Sequence, residues 1–571
     1  MKNISVYITL AFIIFSCSKK DNNKSFDNYK NTFVERLWKL NPEWASSQGF
    51  HKYDDVLMIP EKKLRLAHLN FVKSGLDSLK KYPIETLNDN NKTDFYMMKN
   101  YIESIDFNIN EYKSYEWNPA EYNVCGSFAE ILNGNYAPLN ERLRNFGKKM
   151  SNVYGYYYVA KSNIKNPTFE HTKLACDQNL GGLSVFETDL VAALAKSTLT
   201  EAEKKTIVKD ANKTVETIKN YVEYLHKIKT RKEGDFRLGK DLFEKKFNFD
   251  IQSGYSPDQI YQRAINHKKD LHNKMFDLSE KLWTKYLANT PKPANKLVQI
   301  KQVIDKISEQ HTTPEKFQSE IEKQIPELTK YVKDKNLLYI DPSKPLVVRK
   351  EPDYMAGVAG ASISSPGPYD KNANTYYNVG SLAGWDKAKS ESYLREYNDY
   401  ILQILNIHEA IPGHYTQLVY SNQSPSIIKS IFGNGAMIEG WAVYTEKMML
   451  ESGYKNSDEM WLMYYKWNLR STCNTILDIS VHTKNMTKAQ ALDLLINQAF
   501  QQQAEADGKW KRVSVSQVQL CSYFTGYSEI YDFREALKKE DKNFDLKKFH
   551  EKFLSYGSAP VKYIKELYVK K

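Results

Sequence analysis

The chain has 571 residues, with 81 Lys+Arg against 69 Asp+Glu for a formal net charge of +12, and is 41% hydrophobic and 26% charged. Such a composition can bury a sizeable core and excludes global disorder. Beyond the N-terminus no apolar run approaches the ~20 residues that span a bilayer, which excludes a polytopic membrane protein.

Met1-Lys2-Asn3 gives a short positive start, residues 4–15 are almost wholly apolar, and Ser16-Cys17 closes the run before Ser18-Lys19-Lys20-Asp21. A charged head, an apolar stretch of about a dozen residues and a small residue before a cut make up a secretory signal. With a cysteine at the cut, the segment resembles a bacterial lipoprotein signal, although Ile14 stands where Leu is usual. The resemblance implies residues 1–16 as signal peptide, Cys17 as the lipidated residue and 17–25 as a flexible tether. It also implies an exported cell-envelope protein, outer-membrane, periplasmic or surface facing, that meets the membrane only through this lipid. Export permits disulfides, but Cys125, Cys176, Cys473 and Cys521 are far apart in sequence and allow three pairings. So few cysteines point to a fold that does not depend on them.

Residues 26–335 read as a helical scaffold. Phe33, Leu37 and Leu40 follow helical spacing, residues 200–229 form a long charged-faced helix, and Ser256-Pro257-Asp258 opens another with Pro just inside its start. Lysines here are interspersed with acids, as on a solvated face, so no nucleic-acid partner is expected. Character changes over residues 336–380. Leu337-Leu338-Tyr339-Ile340, Pro345-Leu346-Val347-Val348, the small-residue run 357–367 and Thr375-Tyr376-Tyr377-Asn378-Val379 suggest a small sheet. The glycines of 357–367 match no phosphate-binding pattern; a sheet edge there suits an extended peptide backbone. Helical period returns and holds over 381–571. Neither repeats nor linkers divide the chain, so 26–571 is read as one mainly α catalytic domain with a central cleft and a small sheet before the key motif.

That motif is His408-Glu409-Ala410-Ile411-Pro412-Gly413-His414, followed at Gln417 by a further polar residue. Two imidazoles holding a metal beside a glutamate that moves a proton are the logic of zinc hydrolases. The usual spacing puts the histidines four apart on one helical face. Here they are six apart, about 240° out of phase on a regular helix. Pro412-Gly413 provides the repair, since Pro removes a backbone bond and Gly relaxes the turn, and a local bulge brings His414 round. A two-histidine site needs a third protein ligand and an open position. Glu439 and Glu446, seven apart in an apolar helical stretch, are candidates, because an acid among Met, Ile, Trp and Ala is costly to bury unpaired.

HEAIPGHYTQ followed by IEGWAVYTE resembles the DUF885 family, with its HExxPGH and EGWA signatures, and through it gluzincin-type metallopeptidases. Residues 519–526 (QLCSYFTG) and Tyr376-Tyr377-Asn378 are similar to further segments of that family. This chain has Asn474 where the family pattern carries an arginine, with Arg470 one turn earlier. The resemblance implies one zinc ion held by His408, His414 and Glu439, with Glu409 as general base. An oxyanion donor is also needed: Tyr523 is the candidate, Tyr527 the next, against simple packing roles. Asp478 and His482, at i and i+4, read either as a pair orienting a ligand or substrate or as an ordinary helix-surface pair. Gln417, Tyr377 and Glu446 are further candidates for supporting the site. The expected activity is a zinc metallopeptidase acting on a peptide or small amide. A different amide or ester hydrolase working on cell-wall fragments, or a non-catalytic binding lipoprotein, are the alternatives. Oligomeric state leaves no trace in the sequence.

Overall fold

Asp21 opens the first helix, its carboxylate accepting from the N–H groups of Asn23 and Lys24. The computed structural model describes residues 21–351, 361–370 and 374–569; the signal peptide, Cys17 and residues 357–360 of the small-residue run lie outside them. Helix α1 (Asn22–Leu40) buries Phe26, Phe33, Val34, Leu37 and Trp38 on one face. The tether expected through residue 25 therefore stops short, because Asp21 is an N-cap.

The long helices α2 (Glu201–Lys227) and α3 (Pro257–Tyr286) both begin with a capping box, Thr200 with Glu203 and Ser256 with Gln259, as that residue spacing favours. Lysines pair with acids one turn away, as in Lys204–Glu201 and Lys227–Glu223; such exposed pairs contribute little stability. Among the described residues no helix is long and apolar enough to cross a membrane. Among the described residues most buried apolar side chains fall into two clusters. One gathers Leu57 with residues between Tyr122 and Leu225; the larger joins the N-terminal helices to everything from Phe236 to Ile564. Cys125, Cys176, Cys473 and Cys521 are all buried free thiols.

Helix α4 (Phe317–Asp334) leads into a three-stranded sheet of β1 (Leu346–Lys350), β2 (Ala361–Ser364) and β3 (Thr375–Val379). Central β3 pairs in parallel with β1 and antiparallel with β2. The mainly α fold with a small sheet before the motif matches expectation, but residues 337–340 are not a strand. They join no ladder: the Leu337 N–H donates back to the Val332 carbonyl, the Leu337 carbonyl accepts from His550 Nδ1, and the Tyr339 N–H donates to Glu551.

Five helices then build the core of the C-terminal half: α5 (Asp399–Glu409), α6 (His414–Asn422), α7 (Gly435–Glu451), α8 (Asp458–Thr483) and, after α9 (Gln503–Ser516), α10 (Ser522–Glu540). Asn398 caps α5, in which every residue from Ile401 to His408 is buried. A helix apolar on all sides belongs inside a large protein, and α5 packs against α4, β2, α7 and α8. The axes of α7 and α10 touch through glycine: a Cβ on Gly440 would stand 2.3 Å from the Gly526 carbonyl carbon, and one on Gly526 1.7 Å from the Ala436 oxygen. Only hydrogen fits at that crossing, which sets Tyr523 of α10 on the same side as Glu439 of α7.

Candidate metal centre

The helix carrying His408 does not bulge; it stops. Helix α5 ends at Glu409, Ala410 and Gly413 leave the helical region, and α6 starts afresh at His414. A Cβ on Gly413 would lie 1.9 Å from the His408 carbonyl oxygen, so this reversal requires glycine by close approach. Trp441, two residues after Glu439, fixes the connection by donating its indole N–H to the Pro412 carbonyl at 2.9 Å. The expected outcome, convergence of the two histidines, is reached by a break between two helices.

The imidazole centroids lie 4.7 Å apart and nearly perpendicular. Glu439 Oε2 is 3.7 Å from His408 Nε2 and 3.3 Å from His414 Nε2. That carboxylate oxygen is buried and has no hydrogen-bond partner among the described residues, and neither has His414 Nδ1. An orphaned acceptor facing two imidazole nitrogens is a donor set that suits a divalent cation such as zinc. Glu409 also brings a carboxylate oxygen within 4.8 Å of ligand atoms on both histidines. Glu409 is the residue next to His408 on α5, whereas Glu439 comes from α7.

Burial alone would keep His408 neutral, but Glu439 and Glu446 carry it up to about 10. Burial raises Glu439, yet the two imidazoles outweigh it and hold its carboxyl well below the usual carboxylate range. Glu409 is raised, chiefly by burial. Glu446, fully buried on α7, accepts from His408 Nδ1 at 2.7 Å and from Trp467 Nε1 at 3.1 Å. The carboxylate thereby fixes the tautomer that points Nε2 at the other donors. Of the two acids seven apart, Glu439 is thus a candidate ligand and Glu446 orients the His408 ring.

The remaining candidates divide. Tyr377 of β3 donates to Asn406 Oδ1 at 2.8 Å, and Asn406 Nδ2 donates to Gln324 of α4 at 2.6 Å; this clamp holds α5 two residues before His408. Gln417, one turn after His414, donates to Ser558. Tyr523 accepts from Arg512 Nη2 at 2.9 Å, which leaves its own proton free to donate. Burial and the Glu439 charge push its phenol up to about 12. Tyr527 is a core residue packed among Phe524, Tyr531 and His267, beside the Tyr464 hydroxyl. Asp478 and His482 are fully buried, so the helix-surface reading fails. Nor do they touch the histidines. Asp478 accepts from the N–H groups of Val518 and Leu520 at 3.1 and 3.0 Å, and His482 Nε2 donates to the Val513 carbonyl at 2.9 Å. The Asp478 pair holds Val518 at φ +71°, a strained conformation for a β-branched residue, in the turn that launches α10 and Tyr523.

Sequence reasoning missed Trp441 and Trp467, whose indoles hold the connection and Glu446, and it missed Lys509 and Arg512. A cavity of about 400 Å³ opens at the starts of α7 and α10, lined in part by Trp44, Tyr101, Phe249, Phe432, Gly435 and Ser522. Another of about 390 Å³ lies at the start of α5.

Residues 42–567 match the family described as "Bacterial protein of unknown function (DUF885)". The chain belongs to the DUF885 family. A similar solved structure is a "putative lipoprotein of unknown function" from Shewanella oneidensis, 51% identical, with 95% of this DUF885 chain and 100% of that chain covered and a TM-score of 0.86. A "putative lipoprotein" from Colwellia psychrerythraea shares 17% identity over 96% of this chain and 98% of its own, with a TM-score of 0.77, and shows the same fold. No curated protein matches.

Proposed function

We propose that this DUF885 protein is a zinc-dependent hydrolase of peptide bonds, held at the cell envelope by a lipid on Cys17. The observation that carries the reading is the convergence of His408 Nε2, His414 Nε2 and the orphaned Glu439 Oε2, with the Glu409 carboxyl beside them. Three protein donors leave a position open, as catalytic sites do. Zinc bound there supplies a lowered pKa for water and polarisation of a carbonyl. Glu409 takes the proton of the attacking water and returns it to the leaving amine as the C–N bond breaks. Tyr523 donates to the oxygen that gains charge in the tetrahedral intermediate. Envelope anchoring is supported by the signal-like N-terminus and by the two solved relatives described as lipoproteins.

The test is metal content of the purified protein together with cleavage of a peptide library with and without chelator. Stoichiometric zinc, chelator-sensitive cleavage and a Glu409→Gln variant that keeps zinc but loses about 10²–10⁴-fold in kcat are expected. Cleavage unchanged in Glu409→Gln, or wild-type protein that binds no zinc, overturns the proposal.

A further inference from the structure

Beside the metal-facing carboxylates lies a group of cations that the mechanism above leaves unused. Arg470 of α8 stacks over Trp467, with its guanidinium carbon 4.8 Å from the ring centroid, and its Nη2 pairs with Glu505 Oε1 at 2.6 Å. Its Nη1 is buried with no hydrogen-bond partner among the described residues. Lys509 of α9 is 4% exposed, and its ammonium stands 3.9 Å from the same Glu505 oxygen, beyond hydrogen-bond range. Glu505 thus lies between the two cations; Glu396 acts on Arg470 as well, and the two acids hold its guanidinium above the usual arginine range while Nη1 stays unpartnered. Arg512, exposed one turn further along α9, donates to Gln519 Oε1 at 2.8 Å and to the Tyr523 hydroxyl.

The group adjoins the metal face. Lys509 feels the Glu439 charge, and Arg470 that of Glu409. Burial and the neighbouring Arg470 pull Lys509 down to about 7, the response of an amine taken out of water and crowded by like charge. A buried donor left without an acceptor, as Arg470 Nη1 is, costs free energy unless a ligand completes it. The guanidinium fork of Arg470 and a nearby ammonium suit the two oxygens of a carboxylate.

We infer that Arg470, Lys509 and Arg512 form a carboxylate-binding subsite beside Glu439 and Tyr523, which takes the free α-carboxylate at the end of a peptide substrate. The inference rests on the peptide-hydrolase reading for its substrate and makes the enzyme one that removes residues from the C-terminal end. A chain end anchored there brings the adjoining peptide bond beside Tyr523, which Arg512 contacts directly.

The test is binding to the zinc-loaded, cleavage-impaired Glu409→Gln protein, measured by calorimetry with three probes: N-acetyl-trialanine as the free acid, the same peptide as its amide, and an amide carrying an internal Asp. The free acid is expected to bind at least about tenfold more tightly than either amide, the scale of one charge-assisted contact. The preference should fall to near unity in Lys509→Met or Arg470→Met. Arg512→Gln, at an exposed position, should weaken it severalfold and keeps the test sound if a buried variant fails to fold. Equal binding of acid and amide, equal binding of the Asp-bearing amide, or a preference that survives these substitutions overturns the subsite. The two readings fail separately. Wild-type protein that discriminates acid from amide but cleaves neither with zinc sinks the hydrolase and leaves the subsite. Zinc-dependent cleavage without discrimination does the reverse.

Discussion

Glu446 Oε1 stands 2.7 Å from His408 Nδ1 while Glu439 Oε2 faces His408 Nε2 at 3.7 Å, so the two faces of one imidazole ring are divided between two acids of the same helix. They have different jobs, and removing them should have different consequences. Glu439→Ala deletes a donor and is expected to abolish stoichiometric zinc. Glu446→Ala leaves three donors but frees the His408 ring, and loss of such an outer partner weakens metal affinity about 10–100-fold. Competition with a chromophoric chelator measures both. Full zinc in Glu439→Ala with none in Glu446→Ala would reverse the assignment.

Gly413 allows a second, sharper contrast. Its missing Cβ would fall 1.9 Å from the His408 carbonyl oxygen, whereas one on Gly126 meets nothing within 4 Å. Gly413→Ala must push α6 away from α5. It is expected to lose zinc and lower the thermal midpoint by several degrees. Gly126→Ala lies in the helix Cys125–Asn133 and should stabilise by about 0.5–1 kcal/mol through helix propensity. Zinc titration and thermal unfolding of the two variants check this directly.

The donors were legible because the chemistry repeats as a string: His408, Glu409 and His414 with Pro412-Gly413 between them, and Glu439 before Gly440-Trp441. Their geometry was less so. The Pro-Gly spacing reads as a bulge in one helix; the chain instead breaks there, and Trp441 arrives from another helix to hold the Pro412 carbonyl. Residues 337–340 have strand-like side chains but no neighbour to pair with, and pairing is a tertiary fact. Glu505, Lys509 and Arg512 follow helical spacing, which on paper is the pattern of a solvated stripe. Only the packing of α9 against α8 shows that Lys509 is inside. Asp21 carried a readable cap signal, and the tether boundary passed over it.

Tyr523 depends on a turn as well as on its own hydroxyl. Tyr523→Phe removes only the proposed donor and should cost about 10²–10³ in kcat with zinc and fold unchanged. Asp478→Ala leaves the hydroxyl but releases the Val518 and Leu520 N–H groups. Losing the acceptor for two buried donors destabilises by about 1–3 kcal/mol for each, and α10 loses its fixed start. Steady-state kinetics with urea denaturation separates the cases: kcat alone falls in Tyr523→Phe, whereas kcat and stability fall together in Asp478→Ala. Full activity in Tyr523→Phe would remove the tyrosine from the mechanism.

Acid stability should register a histidine far from the donors. His550 is fully buried, donates from Nδ1 to the Leu337 carbonyl at 2.8 Å and shares a 2.8 Å hydrogen bond between Nε2 and the Tyr444 hydroxyl, under the Trp441 ring. Burial pulls it down to about 4, against about 6.5 in an unfolded chain. Between those values the unfolded state binds a proton that the folded state does not, so stability present above pH 6.5 is lost as pH falls towards 4. The slope from this one group approaches about 1.4 kcal/mol per pH unit. His550→Gln keeps a donor and an acceptor without titrating, so its urea-derived stability should fall less steeply than wild type over pH 6.5 to 4. Parallel profiles would show that His550 titrates alike in both states.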